Sequence, residues 1–150
     1  MLIEGIRRMT RKTYVRLVVL LWLLFINSFY VAAQKQECLA YDPAVVQLIG
    51  TISKKTFPGP PNYESISKGD KPETYWVLHL PDTVCTQPSA DNDAENEVTD
   101  LQLILTQKQY ALYRKFFGRR VNVTGKLSHA ATGHHHTPVL MEVAGISNTR

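Results

Sequence analysis

From residue 45 onward apolar and polar positions alternate. Val46, Leu48 and Ile52 recur at even spacing about Gly50, which predicts a first strand over residues 45–57 with a polar end at Ser53 to Thr56. Trp76, Leu78 and Leu80 face one way and Tyr75, Val77 and His79 the other, a second strand over 75–80. Leu101, Leu103 and Leu105 mark the inward side of a third, over 98–105. At Thr106 the period changes: Thr106-Gln107-Lys108-Gln109 has the form of a capping box opening a helix. Tyr110, Tyr113 and Phe117, with Phe116, fall at helical spacing and predict its buried stripe, and Gly118 is a natural stop. Val121, Val123 and Leu127 then alternate with Asn122, Thr124 and Lys126, with Gly125 on the apolar side where a bend or a close-packed backbone suits it. Residues 139–146 are apolar on both faces apart from Glu142, the pattern of a central strand, and Pro138 at its entrance costs no ladder bond if its nitrogen faces out.

Three strands, one helix and two strands is the connectivity of the OB-fold, a small five-stranded β-barrel with its helix between the third and fourth strands. A mixed α+β sandwich is the alternative. In OB-folds the ligand face is built from the second and third strands and from the loops after the first and fourth. Those loops are residues 58–72 and 129–137, the two least ordinary stretches of the chain. The first carries three of its prolines and Gly59 before Asn62-Tyr63-Glu64-Ser65-Ile66 and closes through Gly69-Asp70, which excludes helix or central strand. A loop this long in a small domain is functional or disordered, and its prolines, Tyr63 and Ile66 can pack, which argues for function. The second carries Thr132-Gly133 and then His134, His135 and His136. By contrast, residues 87–96 are polar and acidic with no packing residue, and are expected to be mobile.

The 150 residues suffice for one domain, and the formal charge of +4 is misleading. Arg7, Arg8, Arg11, Lys12 and Arg16 against Glu4 account for all of it, and from Gln34 onward twelve Lys and Arg meet twelve Asp and Glu. A neutral body offers no general funnel for phosphates, so nucleic acid is not an expected partner. The early basic residues precede the apolar run 17–26, and Val31-Ala32-Ala33 before Gln34 fits a signal-peptidase site. The expectation is a signal peptide over 1–33 and a single periplasmic or secreted domain over 34–150; the alternative is an inner-membrane anchor over 17–33. No cysteine follows the cleavage point, which argues against a lipoprotein. Cys38 and Cys85 are the only cysteines, and an even pair in an exported chain predicts one disulfide rather than a redox or metal pair, since there is no C-x-x-C.

The candidate ligand-binding residues are Asn62, Tyr63, Glu64, Ser65 and Asp70 of the first loop and His134, His135 and His136 of the second. If the two loops form one surface, Tyr63, Glu64 and Ser65 lie beside the histidines. His134 and His136 point the same way in an extended chain, with His129 just across the loop, and two or three imidazoles suit Zn²⁺, Cu²⁺ or Ni²⁺. Such a site would have to borrow His79 or Glu64. An acid–base pair could also be drawn from Asp70, Glu73, Glu64 and His136, as from any acidic loop near a histidine. With no nucleophile elbow, H-E-x-x-H or phosphate loop, an enzyme is not the expected reading, and no cofactor is expected. Asn122-Val123-Thr124 has the form of a glycosylation sequon but falls within a predicted strand. The expectation is a binding module for a protein, peptide or small envelope ligand, the rival a transition-metal protein or enzyme built on the histidine loop.

One set of motifs runs through most of this chain: Cys38, Tyr41-Asp42-Pro43, GPPNYESI at 59–66 with Gly69-Asp70, Cys85, VNVTG at 121–125 and TGHHHTPV at 132–139. In these the chain from Cys38 to Ile146 resembles a family of small secreted bacterial domains of unknown function. The resemblance implies an exported, single-domain form and names no activity.

Overall fold

The computed structural model describes residues 37–149; the expected signal peptide and its cleavage point lie outside them. Five strands close into a barrel: β1 (Val45–Pro58), β2 (Pro72–Val84), β3 (Val98–Ile104), β4 (Arg120–His129) and β5 (Val139–Asn148), in the order β1-β2-β3-β5-β4. All neighbours are antiparallel except β3 and β5, which run parallel. This is the OB topology. Each predicted strand is present, and β2 is longer than its apolar core suggests, in part because Pro72 to Thr74 pair with Thr56 to Pro58 at the end of β1.

Alternation decides the interior. Leu48, Ile52, Trp76, Leu78, Leu80, Leu101, Leu103, Val121, Val123, Leu127, Val139, Met141, Val143 and Ile146 fill it. Val143 and Ile146 are three residues apart, yet both point inward. The reason is a β-bulge: Gly125 pairs with Val143 and Thr124 with Gly145, so Ala144 is the extra residue. A Cβ on Gly125 would collide with the Glu142 carbonyl, which is why the apolar side of β4 has a gap there.

Helix α1 (Gln107–Tyr113) begins with the predicted capping box: the Gln109 N–H donates to Thr106 Oγ1, and the Thr106 N–H donates to Gln109 Oε1 at 2.8 Å. The buried stripe differs from the periodic reading. The chain tightens into a 3₁₀ turn over Arg114–Phe116, which shifts the phase, so that Phe116 is buried and Phe117 is exposed. Tyr110 and Tyr113 pack against the core only in part. Gly118 ends the segment at φ 72°.

Residues 87–96 also depart from expectation. Their backbone is held rather than loose: Thr86 N–H donates to the Glu95 carbonyl, Glu95 N–H to Thr86 Oγ1, and the Tyr41 hydroxyl to the Asp93 carbonyl. A composition without apolar side chains says nothing of such backbone bonds. The Cys38–Cys85 disulfide forms as expected and sits beside this loop, where Leu39 and Thr86 make a parallel bridge.

Candidate functional site

The loop after β1 is a closed unit. The hairpin continues past Pro58, where the Gly59 N–H donates to the Lys71 carbonyl and the Lys71 N–H to the Pro60 carbonyl, and the Pro60-Pro61 peptide is cis. The Asp70 carboxylate then accepts from three backbone N–H groups, those of Asn62 (2.9 Å), Glu64 (2.8 Å) and Ser65 (2.8 Å). These donors, Ser65 and Asn62 foremost, hold its carboxyl below the ordinary range. Asp70 was expected to meet a ligand; it is buried and committed to ordering the loop. Ile66, expected to pack, is exposed.

A group with a depressed folded pKa stabilises above its unfolded value and loses that contribution as pH falls through the folded one. Asp70→Asn is therefore expected to lower the melting temperature by about 5–10 °C at pH 7. The gap to the unsubstituted protein should close below about pH 4, where the unfolded carboxyl protonates. A gap that stayed constant from neutral to acid pH would show that the carboxylate charge does not hold the loop.

The loop after β4 folds across the outside of the barrel. Val77, Gln102 and Leu140 lie in one row, paired across β2, β3 and β5. All three are buried, yet none belongs to the interior cluster. Gln102 holds the histidine loop here: its Nε2 donates to the His134 carbonyl at 3.0 Å, and its Oε1 accepts from the His136 N–H at 2.8 Å. Its own N–H donates to Thr137 Oγ1, whose hydroxyl donates to the Val139 carbonyl. His135 turns back into the loop and accepts from the Ala131 N–H.

The two loops meet at Glu73, the second residue of β2. Its Oε2 lies 2.9 Å from His134 Nδ1 and 3.4 Å from His136 Nε2. The bond from His134, then the one from His136, hold the Glu73 carboxyl below its usual range. A neutral His134 donating from Nδ1 keeps a lone pair on Nε2, which accepts from the Tyr63 hydroxyl at 3.2 Å. The result is a chain Tyr63–His134–Glu73–His136. Aromatic rings brace it: Phe57 stacks on His136 at 4.5 Å and 1°, and Tyr75 tilts against the same imidazole. Two glycines make the close approach: a Cβ on Gly59 would strike the Glu73 side chain, and one on Gly133 the Tyr63 ring. Tyr63 itself has φ 60°, a left-handed backbone unusual for a bulky residue.

Of the three first-loop residues expected beside the histidines, Tyr63 makes the contact, while Glu64 and Ser65 turn their N–H groups to Asp70. The metal set His129, His134 and His136 does not assemble. His129 Nε2 is 2.7 Å from Glu95 Oε1 and its Nδ1 is 3.0 Å from the Ala130 carbonyl. Both ring nitrogens face acceptors, so the imidazolium fits, and the Glu95 bond above all raises its pKa. Among the described residues no three His, Cys, Asp or Glu side chains converge to hold a metal ion. Nor do His79 and Glu64 complete one among the described residues: His79 bonds Asp100, which also pairs with Lys55, and Glu64 joins no such cluster.

Gln102, Phe57, Tyr75 and Thr137 were missed by the sequence reading, and Glu73 was singled out only for acid–base work. Gln102, a polar residue between two inward leucines, reads as solvent-facing until the loop above it is placed. Among the described residues no helix is long and apolar enough to cross a membrane. No curated protein matches the chain. Residues 100–147, from within β3 through most of β5 and including the histidine loop, match the model of a family described as a domain of unknown function (DUF4431).

Proposed function

We propose that the chain is an exported binding module of bacterial origin, periplasmic or secreted, which recognises a protein or peptide of the envelope through the surface of residues 58–72 and 129–137. The observation that carries this reading is the Tyr63–His134–Glu73–His136 chain, which joins the two loops into one braced surface on the face that OB-folds use for ligands. Beside it runs a groove of about 260 Å³ lined by Lys55, Phe57, Val98, Asp100, His136 and Pro138, among others. That is below the roughly 300 Å³ at which pockets for small ligands begin. A peptide segment or protein loop laid over the face, placing one side chain in the groove, fits better than a free metabolite. His134 is half exposed, whereas Glu73 and His136 are mostly covered, so the ligand would meet Tyr63 and His134 first.

The test is capture from an envelope extract by residues 34–150, side by side with a Tyr63→Ala/His134→Ala variant of matched melting temperature. A partner held by the unsubstituted protein should be lost from the variant, with affinity falling roughly tenfold or more if these two are central contacts. Equal capture by both proteins would remove the loop surface as the binding site.

A further inference from the structure

The even balance of charge in the domain hides a separation in space. Between Asp100 and Glu142 the chain carries Lys108, Arg114, Lys115, Arg119, Arg120 and Lys126 and no acidic residue. Lys126 is bound to Asp42 at 2.8 Å. Among the described residues the other five, and Lys54 with them, have no carboxylate partner. All six are exposed, and five lie on α1, its 3₁₀ turn, the bend that follows and the first residue of β4. Lys54 joins them from β1, with its ammonium 5.5 Å from the Phe117 ring. Asp91, Asp93, Glu95 and Glu97 belong to the loop held against Thr86, beyond the other end of β2.

Apolar side chains stand among these cations. Leu112 is 60% exposed and Phe117 42%. Leu112 follows Lys108 by four residues on α1, so the two share a side of the helix. Phe117 lies against Trp76 at 5.8 Å and forms one wall of an open groove of about 580 Å³ with Lys54, Trp76, Tyr110 and Arg114.

We propose that this helix end of the barrel docks on an anionic lipid surface. Cations alone would suit any polyanion, but a soluble polyanion gives an exposed leucine and phenylalanine nothing to bury them. A membrane interface takes both parts: anionic headgroups meet Lys54, Lys108, Arg114, Lys115 and the Arg119-Arg120 pair, and the acyl boundary receives Leu112 and Phe117. This helix end shares no residue with the loop surface of 58–72 and 129–137.

Residues 34–150 contain all the core described above and the disulfide, and so suit co-sedimentation with vesicles. The vesicles are phosphatidylcholine alone, or phosphatidylcholine and phosphatidylglycerol in equal parts. Binding to the anionic vesicles should exceed that to the neutral ones by roughly tenfold or more and fall as salt rises. Arg114→Gln/Arg119→Gln should weaken it by about twenty-five-fold, at roughly fivefold for each cation near the surface. Leu112→Ser should weaken it as well, and since all three side chains are exposed, unchanged melting curves are expected for both variants. Equal or absent sedimentation with the two vesicle types overturns the proposal. So does competition by poly-glutamate together with full binding by Leu112→Ser, which would mark a site for soluble polyanions.

Discussion

Replacing Cys38 and Cys85 together by serine is expected to lower the unfolding free energy by about 4 kcal/mol, on the chain-entropy account of a cross-link. The two residues are 47 positions apart, and the bridge ties the segment before β1 to the segment after β2. Without it the unfolded chain regains the freedom of that loop. In the folded state the Leu39 N–H still donates to the Cys85 carbonyl and Gln87 N–H to the Leu39 carbonyl, so the barrel should persist at lower stability. For a domain of this size the melting temperature should fall by roughly 10–15 °C. Urea unfolding of the oxidised protein and the double variant measures the difference. A change under about 1 kcal/mol would mean that the unfolded chain is already compact there, or that the backbone bonds alone fix the segment.

The second large effect is expected at Gln102. Gln102→Leu preserves volume but removes both side-chain bonds that hold the histidine loop, to the His134 carbonyl and the His136 N–H. Backbone groups left without partners in a covered position cost about 1–3 kcal/mol each, so a total loss of roughly 2–6 kcal/mol is expected for the two. The consequence for the site is more specific than for the fold. Released at its middle, the loop no longer holds His134 and His136 over Glu73, and the contact with Tyr63 goes with it. Amide spectra should show large shifts at residues 131–137 and at Tyr63, with the inward residues of β4 little changed. Loss of stability with an unmoved histidine loop would leave Gln102 as an ordinary core residue.

Most of the barrel is legible in the sequence because its interior is a local pattern. The inward strand residues from Leu48 to Met141, Val98 apart, follow period-2 alternation, and Thr106 with Gln109 announces helix α1 before any neighbour is known. Phe117 was misplaced because a single 3₁₀ turn breaks the helical period, and nothing in Arg114-Lys115-Phe116 signals that turn. The site was legible only as two unusual loops. Its central acceptor, Glu73, is 61 residues from His134, and their meeting depends on the closure of β1 against both β2 and β4.

What the sequence by itself determined was the barrel, its helix, the cysteine pair and the two loops that carry unusual residues, because alternation, capping and cysteine count are properties of short stretches or of simple arithmetic. The tertiary structure decided the partners. It gave His129 to Glu95, and His134 and His136 to Glu73; it buried Gln102 beneath a loop 32 residues later in the chain; and it left cations without a carboxylate partner among the described residues around the helix of a domain whose total charge is even. Each of these depends on register between distant strands, and a shift of one residue would turn every such side chain to the other face.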